Sequence, residues 1–343
     1  MKLAIGAGVS AQNPRPNIPF IQRAEALGYD SVWTGETWGA DAFSPLAYIA
    51  GHTTRIRLGT SIAHIDGRTA GATAMTAQTI DALAGGGRLL LGIGTSGPQV
   101  VEGWHGRPWG KPNYRLRDTV TILRKIWSGE KVAHQGREIQ LPYHGPGAIG
   151  LGKPLRNALK PLAPIPILIG AETPLNVKMT AEIAEGLITL HTVPRQLPEV
   201  HALLREGLAR RSDGRKLEDL EIVGSVTVAV TDDVKGTIEK AKRGIALYAG
   251  GFGAKDINFH KDAFAKRGYP AEAERIQELF LAGRREEAAA AVPDEYVDEE
   301  MLIGPPARIR ERYAAWRDSG FTILRIGTAR EDVLELIAAA NAA

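Results

Sequence analysis

Between Arg88 and Gly106 the chain reads RLLLGIGTSGPQVVEGWHG. An apolar run, Leu89 to Ile93, passes through Gly92 and Gly94 into Thr95-Ser96-Gly97-Pro98. This is a buried strand handing over to a loop whose backbone N–H groups and hydroxyls are accessible, and in α/β proteins ligands sit just beyond the carboxyl end of a parallel strand. Groups able to move protons stand at comparable places. Glu36 ends one short strand, His64 and Asp66 follow another, and Glu102 and His105 lie beyond the glycine loop. Carboxylate and imidazole are the side chains of general acid–base chemistry near neutral pH. The plainer reading makes His64 a hydrogen-bonded structural group, and Glu36 and Glu102 solvated loop carboxylates. Trp38, Trp104 and Trp109 could line a pocket for a planar or apolar substrate, or simply pack.

Those residues need a scaffold, and the hydrophobic pattern supplies one. Strand-like runs occur at Leu3–Val9, Asp30–Thr34, Ile56–Ala63, Arg88–Ile93, Ile165–Ile169, Gly186–Leu190, Glu221–Val230 and Thr322–Ile326. Segments with helical spacing separate them: Ile18–Leu27 stopping at Gly28, a helix opened by Ser44-Pro45, Ala72–Leu83 before Gly85-Gly86-Gly87, and Arg115–Trp127. The rhythm continues through Asn176–Ala184, Pro198–Arg211, Asp233–Tyr248, Ala307–Ser319 and Glu331–Ala340. Eight strands alternating with helices predict a single α/β domain over 1–343, a closed (β/α)8 TIM barrel rather than an open doubly wound sheet. Gly6 and Gly8 form no dinucleotide fingerprint, since no G-x-G-x-x-G joins strand to helix there. Residues 250–305 exceed a normal connection and read as a helical insertion; Val132–Tyr143 and the Gly/Pro-rich stretch after it read as an irregular excursion with a short hairpin.

Composition narrows the chemistry. The 343 residues include no cysteine, which excludes disulfides, thiolate catalysis and thiolate-held zinc or iron–sulfur centres. No metal site is expected. A net charge of +3 with scattered Lys and Arg gives no sign of nucleic-acid binding. Met1-Lys2 leads directly into a strand, and no apolar run is long enough to span a bilayer, so a cytoplasmic protein with no membrane partner is expected.

Several segments taken in order resemble the bacterial luciferase-like superfamily, and within it the oxidoreductases that use the deazaflavin coenzyme F420. They are Leu27–Trp33 followed by Glu36, Thr54–Thr60 followed by Ser61-Ile62 and Arg68, Gln78–Leu83 followed by Gly87–Gly94, and Pro166–Ala171 followed by Ala184–Leu187. Gly304-Pro305-Pro306 and Gly320-Phe321 resemble the family's last helix and strand. The resemblance implies a luciferase-type TIM barrel with the cofactor ring in its mouth, backed by a non-proline cis peptide that by position is Ser61–Ile62. It implies that the cofactor's phosphate meets backbone N–H groups around Gly170, Ala171 and Glu172, with Gly186 nearby and Glu172 contributing main chain only. Thr95, Ser96 and Gly97 would touch the ribityl side or edge of the ring. Glu36 would contact the ring or carry a proton, with His64 as a second catalytic candidate.

The resemblance thus implies hydride transfer between F420 and an unidentified small organic substrate. An FMN-dependent monooxygenase of the same fold, and a non-catalytic cofactor-binding protein, are the rival readings. The chain departs from the family's sugar-phosphate dehydrogenases: Glu36 is followed by Thr37, not histidine, and Pro98-Gln99 stands where they carry a glutamate. Relatives are commonly dimers, so a homodimer or higher homo-oligomer is expected. The Ala-rich segment Ala70–Ala84 suits a partner helix or burial within one chain equally.

Overall fold

A computed structural model describes residues 1–343 apart from 11, 37, 38 and 254–256, so Trp38 lies outside the described residues. Eight parallel strands close on themselves: β1 (Lys2–Gly6), β2 (Ser31–Thr34), β3 (Arg57–Thr60), β4 (Leu89–Gly94), β5 (Ile167–Gly170), β6 (Gly186–Ile188), β7 (Glu221–Val230) and β8 (Ile323–Gly327). Closure comes from β8 pairing with both β1 and β7, and β7 pairing with β6. The helices between strands include α1 (Ile18–Ala26), α2 (Ser44–Ala50), α3 (Ala70–Leu83), α4 (Pro112–Trp127), α5 (Pro174–Ile183) and α6 (Leu197–Leu208). This is the (β/α)8 TIM barrel that the alternation predicts.

Helix ends follow side-chain chemistry, with one departure from expectation. Gly28 ends α1 at φ +83°, a conformation that L side chains rarely adopt. Ser44 is not the cap of α2: it lies in the first turn, and the Asp41 carboxylate accepts the N–H groups of Phe43 and Ser44. The acceptor thus comes from a residue upstream of the helix and serves the N–H groups that lead into its first turn. On α3 the buried alanines sit beneath Trp127, whose Nε1–H donates to the Ala74 carbonyl at 3.3 Å.

Side chains alternate in and out along each strand, so the barrel interior is layered. One layer is a plug of Ala4, Trp33, Leu90, Leu168, Ile188, Val223 and Ile323. In that layer β3 contributes Gly59, because the Trp33 indole fills its place: a Cβ on Gly59 would stand 2.3 Å from the ring. Two residues further along β1, β4, β5 and β8 the inward positions are Gly6, Gly92, Gly170 and Arg325. At Gly92 the Thr60 carbonyl and Ile188 fill the missing side chain's place, whereas Gly170 and Arg325 line a hollow at the carboxyl ends of the strands.

The end of β7 pairs in parallel with a further strand, Met301–Gly304, that periodicity did not indicate. It anchors helices α7 (Val234–Gly251), α8 (Phe259–Lys266), α9 (Pro270–Leu281), α10 (Arg285–Ala290) and α11 (Asp294–Glu300). These bury a core of their own around Phe264, Ile276, Tyr296 and Val297. The chain returns through α12 (Pro306–Arg317) to β8 and ends in α13 (Glu331–Ala342). Among the described residues no helix is long and apolar enough to cross a membrane.

Candidate active site at the mouth of the barrel

The site begins where β3 ends. The Ser61–Ile62 peptide is cis. Across it the register slips: Gly59 faces Leu90 but Ala63 faces Ile93, so four steps on one strand match three on the other. This is a bulge, which re-aims side chains at the rim of a barrel. Hydrogen bonds hold it on both sides. Ser61 N–H donates to Thr34 O at 2.6 Å, and Glu36 N–H donates to Ile62 O at 3.2 Å. The Ile62 side chain rests over two glycines: a Cβ on Gly94 or Gly170 would come within 2.9 or 3.1 Å of it.

Beside this shelf is a cavity of about 220 Å³. Its walls are Ser61 and Ile62 from the bulge, Thr95 after β4, Gly170 to Thr173 after β5, Asn176 on α5, Ile188 to Leu190 after β6, Phe259 from α8, and Arg325 from β8. Pockets that enclose a whole drug-sized ligand run about 300–1,000 Å³. This space admits part of a large ligand, such as a fused ring system, and leaves the rest outside. A second hollow of about 230 Å³ shares Glu172 and Leu190 with it and runs toward α6. The largest cleft, about 1230 Å³, opens among Ile165–Ile167, Glu185 and Glu221, at the amino ends of the strands. That end of a TIM barrel carries stability rather than chemistry.

The expected site residues divide. Ser61, Ile62, Thr95, Gly170, Ala171 and Glu172 all line the cavity, whereas Ser96 and Gly97 lie past its rim, where Gly97 caps a short helix, Pro98–Gly103. Gly186 is not nearby. It opens β6 at the level of Leu168, where a Cβ would meet Glu221 O at 2.4 Å, so this glycine serves close strand packing. The main-chain cradle also differs from expectation. Ala171 N–H is occupied by Ile188 O at 3.2 Å. Glu172 contributes its carboxylate, which lines the cavity and accepts the Leu190 N–H. Burial pushes that carboxyl up to about 7, against the opposing pull of the Leu190 N–H, His191 and Lys266.

Glu36 and His64 stand behind the shelf and do not line this cavity. The Glu36 carboxylate accepts His64 N–H at 2.9 Å and lies 3.9 Å from Arg68. The His64 ring is buried edge-on against His105, Nδ1 to Nε2 3.3 Å, and burial holds it below the usual imidazole range despite the nearby Glu36. Asp66 is paired with Arg115 at 2.5 Å, and exposed Glu102 accepts the Trp109 N–H at 3.2 Å. These candidates build loops around the site.

Of the wall residues that the sequence did not indicate, Thr173, Asn176, Ile188, Thr189, Leu190, Phe259 and Arg325, three bear most on the site. Asn176 Oδ1 is buried and unpartnered within the protein. Phe259 reaches the cavity from the distant helical insertion, which no local pattern could reveal. Arg325 had a legible signal, a charged residue at an inward position of the apolar run Ile323–Ile326.

The comparisons with known proteins agree with this architecture. A family profile for luciferase-like monooxygenases matches residues 3–322. The chain is 42% identical over 327 residues, 94% of each chain, to "Putative coenzyme F420-dependent oxidoreductase Rv3520c" of Mycobacterium tuberculosis. It is 25% identical to the 5,10-methylenetetrahydromethanopterin reductase of Archaeoglobus fulgidus, over 90% of this chain and 88% of that one. Among solved structures, the coenzyme F420-dependent tetrahydromethanopterin reductase of Methanopyrus kandleri superposes with a TM-score of 0.75 at 19% identity, covering 98% of this chain and 96% of that one. The chain belongs to the luciferase-like monooxygenase family, in the branch of coenzyme F420-dependent oxidoreductases.

Proposed function

We propose that this enzyme uses coenzyme F420 to move a hydride to or from a small organic substrate. The observation that carries the reading is the ring-sized cavity at the carboxyl ends of the strands, walled by the Ser61–Ile62 bulge. When bound, F420 supplies a ring carbon that accepts or releases hydride, and the chain supplies position and charge.

The residues fit such a group. Gly170 brings no side chain into the cavity and so leaves room for a flat ring, with Ser61, Ile62 and Thr95 along it. Asn176, near the start of α5, lines the cavity, and a helix start is a favourable place for a phosphate. The side hollow beyond Glu172 gives the cofactor's tail a route outward. Glu172 is the cavity carboxylate suited to hold or release a proton, since a group titrating near the working pH exists in both forms. Glu36 and His64 act on the bulge, keeping Ile62 against the glycines.

FMN is the rival cofactor, and its ring chemistry with oxygen would make the enzyme a monooxygenase. Calorimetric titration of the purified chain with F420 and with FMN decides between them. Micromolar or tighter F420 binding with weaker FMN binding is expected; preference for FMN would overturn the proposal. A cytoplasmic homodimer is the accompanying expectation, checked by light scattering at several concentrations.

A further inference from the structure

Among the described residues, the buried and half-buried arginines around the barrel are mostly answered by other protein groups. Arg57 meets Asp30 and Glu221, Arg115 meets Asp66 and Glu138, and Arg267 meets Glu299 and Glu300. Arg88 has no carboxylate but donates to the main-chain carbonyls of Thr53 and Ile56. Arg325 is different. Ile323 belongs to the plug, so the side chain two residues on enters the barrel one layer higher, and it lines the cavity. It is half-buried, and its hydrogen bond within the protein is one from Nη1 to Ser61 Oγ at 2.8 Å. Among the described residues no carboxylate lies within ion-pair distance of it. Glu172 is on the same cavity wall, but its carboxylate is engaged by the Leu190 N–H.

A guanidinium stays charged at any physiological pH and offers a fork of N–H donors. Burying one without an anion is costly, and proteins seldom leave it so. The remaining donors therefore face a partner that arrives with the ligand. Its place identifies which part of the ligand: Arg325 holds the hydroxyl of Ser61, half of the cis shelf, whereas Asn176 belongs to the first turn of α5. The anion it meets belongs to the ring lying on that shelf, not to the phosphate expected near α5.

Resting on the F420 reading above, we propose that Arg325 is the cation against which the ring's negative charge is held, so that it favours the hydride-loaded coenzyme over the hydride-free one. The balance is simple. A donor C–H bond breaks and a C–H bond forms on the ring; two electrons travel with the hydrogen, the ring becomes more negative by one unit, and the donor, more positive by one, sheds a proton from the heteroatom on that carbon as it is oxidised. Arg325 is placed to offset that unit.

The test compares the affinities of the full-length chain for oxidised and for reduced F420, measured by calorimetry under anaerobic conditions, in wild type, R325M and R325K. R325M is expected to lose tenfold or more in affinity for the reduced coenzyme and less than threefold for the oxidised one, with R325K recovering most of the difference. Equal losses for both forms, or none, would overturn the proposal. A wild-type measurement stands independently of how the variants fold. The ring N–H of reduced F420, followed by absorbance against pH, should be more acidic bound than free; an unchanged titration would also overturn it. Failure of wild type to bind F420 at all would instead defeat the functional reading on which this rests.

Discussion

Glu172 shows how a single residue can be read for both stability and function. Its carboxyl is raised from an ordinary 4.5 to about 7, chiefly by burial. Between those values the folded protein keeps a proton that the unfolded chain has released. The stability it brings is therefore complete below about pH 4.5 and is lost as pH rises through 7, a change of roughly 3 kcal/mol. His260, held down to about 4 by burial and by His191, works the other way: its contribution is present above the ordinary imidazole value and is lost as pH falls toward 4. The two slopes oppose, so wild type alone is uninformative. The difference between wild type and Glu172→Gln isolates the carboxyl. The variant is expected to gain melting temperature relative to wild type as pH goes from 5 to 8, and a constant difference across that range would refute the assignment. Should Glu172 also carry the proton of the reaction, E172Q will flatten the alkaline or acidic limb of the pH–rate profile as well as lower the rate.

At the scale of elements, space is the controlling quantity. Gly92 sits in the middle of β4 with the Thr60 carbonyl of β3 1.8 Å from where a Cβ would be, and Ile188 Cδ1 of β6 at 2.6 Å. Neither strand can retreat without opening the barrel, and Thr60 Oγ1 already donates to Gly92 O at 2.6 Å. Gly92→Ala is expected to destabilise by about 2–3 kcal/mol, read from the urea midpoint. Gly6, in the same layer, has nothing within 4 Å of a Cβ position. Gly6→Ala should leave the midpoint nearly unchanged while narrowing the hollow for a ring, so its effect belongs in cofactor affinity. Comparable destabilisation by both variants would show that backbone freedom, not space, dictates these glycines.

On the scale of the molecule, the helical insertion is fastened over the barrel by charge. Arg267, fully buried, donates to Glu300 at 2.8 Å, Glu299 at 3.0 Å and Tyr296 O at 2.8 Å, with its guanidinium 3.6 Å from the centre of the Tyr296 ring. From the barrel side, Arg195 reaches Glu299, and His191 meets Glu300 at 2.5 Å and His260 at 3.1 Å. Burial depresses His191, but Glu300 and Glu172 outweigh it, and its imidazole is held above the usual range. Arg267→Met would remove the cation shared by Glu299 and Glu300, leaving one to Arg195 and the other to His191, at a cost of about 3 kcal/mol. Hydrogen exchange is expected to quicken across α8 to α11, carrying Phe259 away from the cavity, while β1 to β5 stay protected. Uniform quickening through the barrel would mean that insertion and barrel unfold together.

Much of this protein was legible in its sequence because strand–helix alternation is a local property. The eight strands follow from short stretches of chain, and the cis peptide at Ser61-Ile62 from an ordered resemblance of such stretches. Six of the expected cofactor contacts line one cavity, since residues just past parallel strands must converge on one face of a closed barrel. What the sequence could not decide is direction and depth. Glycine occurs both at the mouth, as Gly170, and between packed strands, as Gly186, and residue type does not distinguish the two. Whether Glu36 faces a ligand or a backbone N–H, whether Glu172 offers main chain or carboxylate, and whether a lone arginine in an apolar strand finds an acid are set by neighbours outside the local segment, 28, 18 and 264 residues away. Arg325 and Ser61 are brought to 2.8 Å only by the closing of the barrel. Local pattern names the elements because secondary structure is satisfied within them; the chemistry of the site depends on what closure places beside each side chain.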